Sequence, residues 1–400
     1  MSIKKKIISC ALALALAVTS AVTLSGCADV SYAMTVDGET IPAGVYILYS
    51  GYALNDAQTL LSEEQPDLDT TAEGFDYYAQ TVGGMSFGDY VKQETINYCK
   101  KYVAINRMFD ELGISFDAAE QENINDSINS QWDLSVSGWS SYLSYLKGFS
   151  TLGDYYQSIG VGKSSYKEVM LNSSKSSEIF DYYYGEGGVE EVSRQEIEQY
   201  IRENYALARY FSISLKDDDG ELIEDEAELK KLEELANGYV EKLNGGTSYS
   251  EVYEEYEHYL SEGDEESKEE EEEHEHEDSD FDRIINVDST SPSEEFVEAL
   301  FKQETGTAAV FKADTYYYVV QRLDITENEK YVEDYRNTAL DALKGDELDG
   351  VFEAKYADYS VTENTSAPDY AREQALNARQ GLGSISAIQY YSYLQSLYGF

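Results

Sequence analysis

The stretch ADTYYYVVQRLD, Ala313 to Asp324, decides how the second half of this 400-residue chain is read. Two valines follow three consecutive tyrosines, and Asp314 and Thr315 supply a turn before them, which predicts a strand. Side chains alternate along a strand, so Tyr316 and Tyr318 share one face and Tyr317 takes the other. At least one phenol must then look into the domain, either to do chemistry or to fill space.

The neighbouring elements follow from spacing. PSEEFVEALFKQETGTAAVFK, starting at Pro292, predicts a helix, a glycine turn and a strand that hands over to the tyrosine strand. Upstream, LARYFSISL alternates and predicts a strand from about Ala208 to Leu215. Leu229, Leu232, Ala236, Val240 and Leu243 then recur at helical spacing and stop at Asn244-Gly245-Gly246. Ser248 and Glu251 open the next helix as a capping box, and Ser193 with Glu196 opens an earlier one just after Gly185, Gly187 and Gly188. That glycine cluster marks a domain boundary.

Before the boundary, YAMTVDGETIPAGVYILYSGYAL predicts a hairpin turning at Asp37-Gly38 and then a helix. Helical periodicity continues from about 55 to 183, broken at SEEQPDLDTTAEG, TVGGMSFGD and GVGKSSY. Trp132, Trp139, Tyr142 and Tyr145 sit in an aromatic-rich run, where they either line a groove or pack in a core. Beyond the tyrosine strand, Tyr331 to Asn364 predicts a long helix weakened by Gly345 and Gly350, closing on the alternating segment YSVTEN.

Composition narrows the partners. Lysine and arginine total 29 against 78 acidic residues, a formal net charge of −49. Such a chain does not bind nucleic acid or an anionic membrane by electrostatics, and it favours basic partners. Lys4, Lys5 and Lys6 precede an apolar run that reads as a signal peptide, and Leu24-Ser25-Gly26-Cys27 at its end resembles the lipobox of bacterial lipoproteins. Cys27 is therefore the expected lipidation site. Cys10 would leave with the signal, and Cys99, at helical spacing among Ile96, Val103 and Met108, is expected as a packed thiol. All three histidines fall at 258, 274 and 276; His274 and His276 lie inside an acidic run, where they are candidates for holding a cation loosely and the run itself is expected to be solvated.

The order of elements resembles that of the extracytoplasmic foldases of the PrsA and SurA type, in which a helical chaperone domain built from both chain ends carries a parvulin-type peptidyl-prolyl isomerase domain. VSRQEIEQYIRENY is similar to the family's entry helix, GTSYSEVYEEY to a second helix, and EEFVEALFKQETG to a third, with Phe296, Ala299, Phe301 and Gly306 at the matching places. The resemblance implies an α+β chain. Residues 1–26 are then the signal, 27–190 the helical chaperone domain, 191–326 the parvulin-like domain with an acidic insertion at 261–282, 327–364 the returning helix and strand, and 365–400 a tyrosine- and serine-rich tail.

It also implies site residues. The tyrosine strand aligns with a closing strand that carries a histidine, so Tyr318 stands at a catalytic position. Ser212, or Tyr210 in a shifted register, stands at the other. Phe296 keeps one residue of the proline pocket, while Pro292 replaces an expected methionine. Both family histidines are absent, so the expected function is a lipid-anchored chaperone for newly exported polypeptides, with isomerase activity weak or lost. No cofactor is implied. An active isomerase with a rebuilt Tyr318/Ser212 site, or a cation-binding or adhesive surface lipoprotein, are the alternatives.

Overall fold

The computed structural model describes residues 32–70, 72, 75–136, 149–217, 219–261, 276–313 and 315–364. Cys27, Trp139, Tyr142, Tyr145, His274 and the tail lie outside them. The chain divides into two compact units, one of residues 1–189 and 347–400, the other of 190–346. Helices and small antiparallel sheets make both, an α+β chain.

The first unit opens with β1 (Tyr32–Val36) and β2 (Glu39–Pro42). Asp37 and Gly38 join them with φ of 48° and 87°, the two positive values that a tight hairpin turn demands. β9 (Val361–Glu363) pairs on the other side of β1, so a strand from near each end of the described chain closes one sheet, in the order β2-β1-β9. Helix α1 (Ala43–Glu64) follows Pro42, whose fixed φ suits a helix entry. A two-residue hairpin, β3 (Thr81–Val82) and β4 (Met85–Ser86), then leads to α2 (Phe87–Leu112), capped by the Ser86 side chain. Gly83 and Gly84 both take positive φ between those strands. Helices α3 (Ala118–Trp132), α4 (Leu152–Ser158) and α5 (Lys163–Tyr184) complete the unit. Its main core joins Val45, Tyr49, Cys99, Val103, Tyr166 and Val169 from α1, α2 and α5. Cys99 is fully buried, and burial pushes its thiol pKa up, so it is an inert packing residue.

The second unit begins with α6 (Arg194–Asn204), where Ser193 and Glu196 form the reciprocal capping box. Strand β5 (Tyr205–Ser214), helices α7 (Glu226–Asn244) and α8 (Tyr249–Ser261), β6 (Arg283–Asn286), α9 (Glu294–Lys302), β7 (Ala308–Ala313) and β8 (Tyr316–Leu323) follow. The strands form an antiparallel sheet in the order β6-β5-β8-β7, with β5 and β8 central. One face packs under α7 and α8 through Phe211, Ile213, Tyr317, Val319, Tyr239 and Tyr256. The other packs under α9 through Ala208, Tyr318, Val320, Phe296 and Leu300. Helix α10 (Glu329–Tyr356) carries the chain back across the division at 346.

One feature departs from the expectations. The four-residue β6 lies directly after the acidic run, and Asp278 to Phe281 just before it form a 3-10 turn. The far end of the expected solvated insertion is therefore anchored: Arg209 on β5 donates to Asp278 and Asp282, each at 2.7 Å. Helix α10 is the long helix expected there, and it runs unbroken through Gly345 and Gly350.

Candidate functional site

The sheet register brings the residues of interest onto one face. Ser212 on β5 stands directly opposite Tyr318 on β8, and Tyr210 stands opposite Val320. Opposed residues of an antiparallel pair point to the same side, and 210 and 212 differ by two, so all of them face α9 whichever β5 residue is taken as the site position. Tyr317 points the other way, into the core beneath α7 and α8. The alternation read from the sequence is the alternation observed.

On the α9 face the rings close on one another. Phe296 is completely buried and Tyr318 is 6 % exposed. Their ring centroids are 4.9 Å apart at 64°, Tyr210 lies 4.9 Å from Phe296 and 6.2 Å from Tyr318, and Phe311 and Tyr316 extend the cluster. Edge-to-face contacts of this kind add to the burial of large rings. Tyr210 is half-buried at the rim, and so is Ser212. From the opposite side of the sheet the Tyr256 hydroxyl donates to the Ser212 carbonyl at 2.7 Å, which fixes the backbone at that position. Burial pushes the Tyr256 phenol up to about 12, so it stays a donor throughout the physiological range.

Helix α9 is held over this face by ties that sequence reasoning missed. The Arg322 guanidinium, on β8, donates to the carbonyls of Leu300, Phe301 and Gln303 at 3.2, 2.9 and 2.7 Å. Those carbonyls belong to the last turn of the helix and the residue that closes it, so the arginine caps the end and meets its negative pole. Desolvation lowers the Arg322 pKa, opposed by the nearby Asp324 carboxylate. At the edge strand, the Asn244 amide both donates to the Ala308 carbonyl and accepts from its N–H, at 3.0 and 2.9 Å, pinning α7 to β7. Pro292, at the expected methionine position, follows a cis peptide bond just before α9.

The remaining expected residues lie elsewhere. Trp132, read from the sequence as lining a groove or packing in a core, is 5 % exposed and packs in the first unit between Tyr156 and Tyr166, at 6.0 and 5.3 Å. A Cβ on Gly153 would come within 2.3 Å of its indole nitrogen, so the indole lies flat on that glycine. His276 is 45 % exposed and lies 3.9 Å from Asp280. Among the described residues no group of three histidine, cysteine or acidic side chains is arranged to hold a metal, and no helix is long and apolar enough to cross a membrane.

No family model matches the chain, and no curated protein matches it. Solved structures of foldase protein PrsA do. The one from Streptococcus pneumoniae is 13 % identical with a TM-score of 0.25, covering 72 % of this chain and 85 % of that one. The Lactococcus lactis structure is 12 % identical with a TM-score of 0.30 over 86 % of this chain and 99 % of that one. The Bacillus subtilis structure is 14 % identical with a TM-score of 0.22 over 72 % and 93 %. Likenesses this loose transfer no residue role.

Proposed function

We propose that this protein is an extracytoplasmic chaperone of the PrsA/SurA type, anchored by lipid on Cys27, that holds extended segments of newly exported polypeptides and has little or no prolyl isomerase activity. The supporting observation is the closed aromatic face of the second unit, with Phe296 at 0 % and Tyr318 at 6 % exposure. An isomerase must desolvate a prolyl amide and brace its atoms with hydrogen bonds against a barrier of roughly 20 kcal/mol. A face whose rings already fill one another's space offers a proline no slot. Neither described histidine stands on that face: His258 belongs to α8, which packs on the opposite side of the sheet, and the His276 ring meets Phe281.

Tyr318 then fills space where a catalytic imidazole would stand, and holding rather than turnover is the activity that remains. The net charge of −49 favours basic, unfolded clients over acidic ones. The test is light scattering by a reduced, unfolding basic client with and without the full chain. Suppression of aggregation near stoichiometric ratios is expected; scattering identical to the client alone would count against the holding function.

A further inference from the structure

In the first unit a cleft of about 290 Å³ is lined by Met108, Glu111, Leu112, Tyr183, Val351 and Lys355. Three helices end there: α2 at Leu112, α5 at Tyr184 and α10 at Tyr356. Each brings the negative pole of its backbone dipole, equivalent to roughly half an elementary charge. Neither α2 nor α5 has a basic residue in its last turn to offset that pole. α10 has Lys355, but its ammonium is bound by the Glu111 carboxylate at 2.5 Å. The floor, from Met108, Leu112, Tyr183 and Val351, is apolar.

We infer that this cleft binds a lysine or arginine side chain together with an adjoining apolar side chain of an extended polypeptide. The inference rests on the holding function proposed above and names the chemistry that its client segments present. A long basic side chain lays its methylene stem on apolar surface and keeps its charged head in a polar field, the combination that three helix ends around an apolar floor supply. The volume is near the lower limit of about 300 Å³ for small-ligand pockets, which suits one or two side chains and not a folded partner. An acidic segment would meet three negative poles.

Fluorescence anisotropy with the full chain and labelled peptides alternating leucine with arginine, glutamine or glutamate tests this. The arginine peptide is expected to bind about tenfold more tightly than the glutamine peptide at low salt, with the preference falling as salt rises. Val351→Lys, which places a second cation on the helix surface, and Glu111→Gln, which leaves Lys355 uncompensated, should each remove most of that preference while circular dichroism stays unchanged. Equal affinity for the arginine and glutamine peptides, or a preference untouched by both substitutions, would overturn the assignment. A concentration-dependent mass abolished by Val351→Lys would give the cleft to a second copy of the chain and overturn it as well. If aggregation suppression persists while the peptide preference is absent, this inference fails and the holding function stands. If the preference is present without suppression, the cleft stands and the holding function fails.

Discussion

For the Trp132 cluster of the helical unit and the Tyr318 cluster of the sheet unit alike the sequence leaves a functional role or plain packing open, and the structure packs both. They are packed by different means. Trp132 lies on a glycine, so its place depends on the absence of a side chain at 153 in a helix twenty residues downstream. Tyr318 lies in a ring of other aromatics, one of which, Tyr210, stays half-buried at the rim. The first arrangement has no slack, while the second is a set of rings that a smaller residue could open. Aromatic richness in a sequence thus marks where large side chains gather, and the partner they gather on decides whether a surface remains.

Four substitutions probe that contrast. Phe296→Ala should have the largest effect, about 3–5 kcal/mol lost from the second unit by denaturant titration, because a fully buried ring at the centre of the cluster leaves a cavity. A loss well under 1 kcal/mol would mean that the rings are not a core. Gly153→Ala should cost the first unit about 1–3 kcal/mol, since the added methyl must displace the Trp132 indole, and tryptophan fluorescence should shift with it. An unshifted spectrum at unchanged stability would show that the indole has room to move.

A smaller effect, and one that depends on pH, is expected at Asp56. Burial raises its carboxyl pKa above the usual range, opposed by the hydrogen bond that the Tyr98 hydroxyl donates to it at 2.7 Å. A carboxyl raised in the folded state stabilises below its unfolded pKa, and that contribution is lost as pH rises through the folded value. Asp56→Asn should therefore melt higher than the unsubstituted chain at pH 7 and lose the advantage near pH 4. An advantage independent of pH would contradict the assignment. The smallest effect is at Gly350, where an added Cβ meets nothing within 4 Å inside α10. Gly350→Ala should stabilise by about 0.5–1 kcal/mol through helix propensity alone, with no change at the cleft.

What the sequence made legible was periodic and local. Alternation placed Tyr317 and Tyr318 on opposite faces, capping signals placed the starts of α6 and α8, and Asp37-Gly38 placed the first hairpin. What it hid depended on short or distant partners. β6 has only four residues, with Ile284 and Ile285 side by side, too short a run for alternation to register beside an acidic stretch. β3 and β4 contribute two residues each and read as a break because Gly83-Gly84 dominates them. The Arg322 cap on α9, the Asn244 clamp on β7 and the Arg209 tie to Asp278 and Asp282 join residues at least nineteen positions apart, which no local pattern encodes. Likewise, nothing around Trp132 in the sequence announces that Gly153 will lie beneath it.

Whether Tyr318 fills space where an isomerase would place a catalytic group is decided by NMR exchange of a panel of X-Pro peptides with the full chain and its Tyr318→Phe variant. Uncatalysed interconversion takes about 10–100 s at 25 °C. That rate is expected with both proteins, from folded samples. A clear acceleration by the unsubstituted chain that Tyr318→Phe abolishes would contradict it and make the tyrosine strand a working active site.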